Sequence, residues 1–199
     1  MVLLGRLSLF GQGAARLDEE VIAVTARWHP LFNTRKLRAY AAGRDAEAAT
    51  LEQLEQAFGE QTGRQVPLAT REQLQAAAPH DVGQLLQPLQ ERATEAGLTA
   101  AELLRARGQR EAQAMTELLA AQRQRIQAEQ LRRQSAQLEF EFSGDESRQV
   151  RADMLAWTRR LAAIEGALER EPRRIEDGFA VRLTRVEPLG LVYLWPQGG

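Results

Sequence analysis

A chain of 199 residues with 26 Lys and Arg against 27 Asp and Glu carries a net charge of −1, so no global field draws it to nucleic acid or to an anionic membrane. It contains no cysteine, which excludes disulfides, thiolate metal sites and cysteine nucleophiles and suits a reducing cytoplasm. Aromatic residues make up only 6% and many hydrophobic residues are alanines, so the large apolar side chains must be concentrated in a few places, as in a small core bearing an extended arm. The opening MVLLGRLSLFG is interrupted by Arg6 and lacks the h-region of a signal peptide, and no run approaches the roughly 20 apolar residues that span a bilayer. A soluble, cytoplasmic protein without membrane contact is expected.

The first element, VLLGRLSLF, alternates loosely and is bounded by Gly11 and Gly13, which predicts a strand. In GAARLDEEVIAVTARW the residues Leu17, Val21, Val24 and Trp28 fall at spacings of three and four, which predicts a helix stopped by Pro30, with Asp18, Glu19 and Glu20 compensating its dipole. A connection follows, and Asp45 caps a helix with Leu51, Leu54 and Phe58 as its apolar stripe. Thr70 is read as the N-cap of a short helix ended by Pro79. Asp81 is read as the cap of another, kinked or broken at Pro88 and closed by Gly97. At Thr99 the capping box TAAE opens a helix running to about Ser135, some ~55 Å at 1.5 Å per residue, which must project or lie along something else.

The second long helix answers it. Val150, Met154, Trp157, Leu161, Ile164 and Leu168 repeat at alternating spacings of four and three, the seam of coiled-coil packing. Leu104, Met115, Leu118, Leu119, Ile126 and Leu131 form a weaker stripe on the first, and an antiparallel helical hairpin is the economical reading. LEFEF between them reads as a short strand or a hydrophobic clasp. At the end FAVRLTRVEP and LGLVYLW read as two strands joined through Glu187 to Gly190, returning to pair with VLLGRLSLF. The fold class expected is therefore mainly α with a small β element. It divides into an α-rich base with one strand over 1–98, the long hairpin over 99–170 and a C-terminal β-hairpin over 171–199.

A search for chemistry is mostly negative. His29 and His80 stand in no metal-ligand spacing, no Gly-x-Ser-x-Gly elbow exposes a nucleophile, and neither a phosphate-binding loop nor a dinucleotide fingerprint is present. No catalytic, metal-binding or cofactor-binding residue is assigned. The arginines remain, since Lys36 is the only lysine. Arg123, Arg125, Arg132 and Arg133 on the first long helix, with Arg159 and Arg160 on the second, present a basic stripe to a phosphate backbone, against the competing reading of a solvated face interspersed with glutamates. Tyr193 and Trp195 are candidate docking residues for a partner.

Three stretches carry a resemblance: GRLSLFGQGAARLDEEVIAVTARW near the start, GQREAQAMTELLAAQRQRI in the middle and LEREPRRIEDGFAVRLTRVEPLGLVYLWP at the end. In order and over most of the chain they resemble the C-terminal region of SWI/SNF-type superfamily-2 helicases, most closely the DrmD-type helicase of DISARM antiphage systems. The ending is the most specific part. Such helicases are ATP-driven DNA translocases whose ATP and Mg belong to two RecA-like lobes, and this chain contains neither the Walker lysine nor the Asp-Glu box. The resemblance therefore implies a tail without its motor. It would be a non-enzymatic accessory module without a cofactor of its own, whose partners are the motor lobes or another defence protein and duplex DNA. The alternative is a free-standing coiled-coil adaptor that associates through the seam from Val150 to Leu168 without binding DNA.

Overall fold

A computed structural model of the chain describes residues 1–28, 36–59, 66–139 and 144–195. It is mainly helical with a small antiparallel sheet, in the order β1 (Val2–Phe10), β2 (Arg16–Trp28), β3 (Leu37–Ala39), α1 (Asp45–Gly59), α2 (Leu68–Glu139), α3 (Gly144–Gly178) and β4 (Leu183–Val192). Two compact units divide it, Met1–Ala101 with Val181–Gly199, and Glu102–Ala180. No described helix is long and apolar enough to cross a membrane.

The first unit is built on a four-stranded sheet of order β3-β2-β1-β4, all antiparallel. The expected pairing of the first strand with the chain's last one is present, Val2 lying opposite Val192 and Leu9 opposite Thr184. The helix expected over 13–28 is not. That segment is β2, reached through a turn at Gln12–Ala14 in which Gly13 takes a φ of 64°, the left-handed region that glycine enters without strain. Ile22, Val24 and Ala26 are buried at period two while Val21 is exposed, and the β-branched run Val21, Ile22, Val24, Thr25 suits a pleated surface better than a helix. The acidic residues Asp18, Glu19 and Glu20 accordingly lie on a strand and compensate no helix dipole.

Terminal strands differ from expectation too. Instead of a hairpin turning at Glu187 to Gly190, β4 is one strand running through Pro188, with Leu189 extruded as a bulge where Gly190 pairs with Leu4 and Pro188 with Gly5. Proline is tolerated there because β4 is the edge of the sheet, where a missing N–H breaks no ladder.

The three helices expected between 70 and 135 are one helix, α2, with Pro79 and Pro88 inside it. A proline in a helix interior costs roughly 3 kcal/mol. Against this, Leu74, Ala77, Asp81, Leu85, Leu89, Ala93 and Gly97 form one buried stripe crossing both prolines, and each buried leucine contributes about 1.5–3 kcal/mol. Thr70 lies within the first turns and Thr99 in the helix body, its hydroxyl donating to the Glu95 carbonyl, so neither is a cap. On α1 the capping position is Arg44 rather than Asp45: its carbonyl accepts from the Glu47 and Ala48 N–H groups, and the Gly43 N–H donates to Glu47 Oε2 at 2.6 Å. Of the expected α1 stripe Leu54 is buried, while Phe58 is exposed.

The stripe of α2 lies on the sheet face formed by Leu3, Gly5, Leu7 and Leu9. Gly5 permits the close approach, since a Cβ there would stand 2.8 Å from Leu89 Cδ1. On the opposite face polar side chains gather around Arg6 and Ser8. Arg6 donates to Glu187 at 2.5 Å, Arg185 also pairs with Glu187, and Ser8 and Arg16 both donate to Glu19. The Arg6 hydrogen bond, with the charge of Arg185, holds the Glu187 carboxyl below its ordinary value of 4.5. Because the folded-state value is the lower one, this stabilisation is complete above about pH 4.5 and is lost as pH falls through the depressed value. Substituting Glu187→Gln should therefore flatten the acid limb of the stability curve below pH 4.5 in urea titrations, and an unchanged limb would show that the pair contributes nothing.

In the second unit the later part of α2 and α3 run antiparallel. Gly108 faces Phe179, Arg123 meets Glu165 at 3.4 Å and Arg133 meets Asp153 at 3.0 Å, so positions rise on one helix as they fall on the other. Ala112 and Ile164 are the buried residues of this seam, with Met115, Leu119, Ile126, Met154, Trp157, Leu161 and Leu168 half-buried. Leu118 and Leu131, expected in the stripe, are exposed because they fall outside the three-four repeat. A Cβ on Gly108 would lie 2.9 Å from the Phe179 Cβ, an atom that cannot move without its backbone. Gly108→Val should cost about 1–3 kcal/mol by overpacking, read as an earlier loss of helicity on heating. The clasp expected at 138–142 and the loop histidine His29 fall largely or wholly outside the described residues.

Candidate nucleic-acid interface

The surroundings of the six arginines of the expected stripe divide them. Arg123 is spent on Glu165. Arg133 pairs with Glu129 and Asp153 and stacks its guanidinium over the Trp157 ring at 5.1 Å, which ties the two helices together. Arg125, Arg132, Arg159 and Arg160 are exposed and have no ion-pair or hydrogen-bond partner among the described residues.

Helical spacing gathers three of these four, Arg125, Arg132 and Arg160, and leaves Arg159 on the outer face of α3. Arg125 and Arg132 are seven residues apart and share one flank of α2, separated by about 10 Å at 1.5 Å per residue. That is about three phosphate steps at 3.4 Å per strand. The register set by Arg123–Glu165 and Arg133–Asp153 places Arg159 and Arg160 level with the stretch between them. By heptad position Arg125, Arg132 and Arg160 flank the seam on the edge opposite the Arg123–Glu165 pair. The acid at the end of that edge, Asp153, is already neutralised by Arg133. What results is a local cationic strip on a chain with almost no net charge.

The other candidates, Tyr193 and Trp195, follow β4 in the first unit. Tyr193 is held from two sides: its ring stacks on Trp28 with centroids 5.7 Å apart and planes 15° apart, and its hydroxyl donates to Asp81 Oδ2 at 2.7 Å. Asp81, expected as a helix cap, is instead fully buried in mid-helix. Trp195 is 46% exposed and, with Trp28, Thr70, Gln73 and Leu74, lines a cavity of about 250 Å³. Trp28 and Asp81 escaped the sequence reading because each was placed in the wrong local structure. The period-two burial of Ile22, Val24 and Ala26, extended by one step, is the signal that puts Trp28 on the helix-facing side of the sheet.

Among the described residues no group of three or more His, Asp or Glu is placed to hold a metal ion. Comparison with protein families, characterised proteins and solved structures finds no match to this chain.

Proposed function

We propose that the chain is a non-catalytic, cytoplasmic accessory module of a SWI/SNF-like DNA translocase of the antiphage-defence type. In this reading it contacts duplex DNA and braces a motor or another defence protein. The observation that carries the DNA contact is the separation of the arginines. Two are consumed in holding the helices together, while Arg125, Arg132 and Arg160 on one flank, with Arg159 beside it, have no ion-pair or hydrogen-bond partner among the described residues. Guanidinium groups in that state bind phosphate oxygens without first breaking an internal pair. The resemblance supplies the motor: its first and last stretches fold into neighbouring strands, β1 and β4, of one sheet. Fluorescence anisotropy with a labelled duplex at two salt concentrations tests the reading. Binding that weakens with salt is expected, and no binding at low salt by a folded chain would sink it.

A second reading has its own observation. Leu103, Leu118, Leu131 and Leu155 of the helical unit are 53–68% exposed and are available to another chain. A coiled-coil adaptor that joins other chains through these leucines would show concentration-dependent association and no DNA binding.

A further inference from the structure

The cavity beside Trp195 has features that a hydrophobic docking dent does not require. It lies in the first unit, at the end of the sheet where the first turns of α2 cross it. Among the described residues its lining includes two indoles and the apolar Leu74, and Thr70 and Gln73 bring a hydroxyl and a primary amide. Trp28 is preorganised. Tyr193 is stacked on it and does not line the cavity, so the space opens on the part of the indole that Tyr193 leaves uncovered. Tyr193 is in turn anchored by its hydrogen bond to Asp81, which sits on the buried stripe of α2 among Ala77 and Leu85. One aromatic wall is therefore fixed by the core, and the other, Trp195, stands exposed beyond the last strand.

We propose that this cavity takes one unstacked nucleobase. At about 250 Å³ it lies below the roughly 300–1,000 Å³ of sites for larger organic ligands and matches a single planar heterocycle. Aromatic side chains stack on the π-face of any base, and an amide with a hydroxyl offers both donors and acceptors to a base edge. The exposed Arg71, in the same turn as Thr70 and Gln73, supplies positive charge for an adjoining phosphate. A base inside a duplex is paired and stacked and cannot enter, so the ligand is a single strand, as a translocase displaces, or a free nucleotide. The inference deepens the DNA-contact reading and takes its ligand class from it.

The test measures anisotropy of a labelled single-stranded 12-mer and of a flush-ended duplex with the full chain, the Trp195→Ala variant and the Gln73→Ala variant. Trp195 is exposed, so its loss leaves the fold intact, which circular dichroism checks. Stacking predicts that Trp195→Ala weakens single-strand binding about 5- to 150-fold while duplex binding changes less than twofold. Gln73→Ala should weaken single-strand binding by a smaller factor, and an abasic 12-mer should bind the unaltered chain no better than the 12-mer binds Trp195→Ala. Competition by thymidine 5′-monophosphate separates the two sources. Displacement only at a large excess assigns the pocket to a strand, and displacement near stoichiometry assigns it to a free nucleotide. Equal single-strand binding by the unaltered chain and Trp195→Ala would overturn the proposal, as would an abasic strand that binds as well as the intact one. Absent duplex binding with retained, Trp195-dependent single-strand binding would overturn the arginine-strip reading and leave the pocket standing.

Discussion

Leu89→Ala should lower the stability of the sheet-bearing unit by about 3 kcal/mol, within the roughly 2–5 kcal/mol seen for buried leucines. Leu89 is 1% exposed and its two methyls rest against Gly5, the one position of β1's inner face without a side chain. Truncation leaves a gap between helix and sheet that no neighbour can fill, because Gly5 has no Cβ to rotate into it and both backbones are held by their own hydrogen-bond ladders. The loss should appear in urea titration as a lower midpoint at an unchanged slope. The same substitution at the exposed Leu86, three residues earlier, should cost less than about 1 kcal/mol. Equal effects at the two positions would show that α2 does not pack on the sheet through this stripe.

The second large effect is on binding. Replacing Arg125, Arg132, Arg159 and Arg160 together by glutamine should remove up to four phosphate contacts and reduce the slope of log K against log salt by about 3 to 4, near 0.9 per contact. Replacing Arg123 and Arg133 instead should leave that slope almost unchanged while loosening the helical unit, since those guanidiniums are engaged by Glu165, Glu129 and Asp153. Exposed ion pairs contribute only about 0–1 kcal/mol each, so the loosening should be modest. The opposite ranking, a DNA defect from the paired arginines and none from the unpaired four, would remove the reason for preferring a strip on that flank. Replacing only Arg125 and Arg132 removes the same two charges from α2 as replacing Arg123 and Arg133, so a difference between those two variants reports position rather than net charge.

Much of the helical unit was legible in the residues. Val150, Met154, Trp157, Leu161, Ile164 and Leu168 repeat at three and four, and they are the residues that meet α2. That reading succeeds because coiled-coil packing is local in kind: each turn of helix repeats the same contact, so the pattern is written in the spacing itself. The strand β1 and its pairing with the chain's end were also readable, because a lone apolar strand must find a partner. The strip was named as six arginines and is divided by structure into two that tie the helices and four that remain exposed. Spacing puts all six on the surface, but only the register between α2 and α3 decides which of them meets a carboxylate.

The segment of β2 was misread because Leu17, Val21, Val24 and Trp28 satisfy a helical period as well as Ile22, Val24 and Ala26 satisfy a strand's, and the choice falls to β1, which offers nine paired positions along its edge. In α2 local signals point to three helices, with Pro79, Pro88, Gly97 and a Thr99 box as punctuation. A sheet face of leucines overrode them by rewarding an unbroken buried stripe. The amino-acid sequence alone determined a mainly helical chain with a heptad seam, paired terminal strands and a surplus of surface arginine, all consequences of near-neighbour spacing. The tertiary structure alone decided which segment becomes the second strand, that Asp81 and Tyr193 brace Trp28, and which arginines are left without a partner, since each depends on residues that spacing along the chain does not bring together.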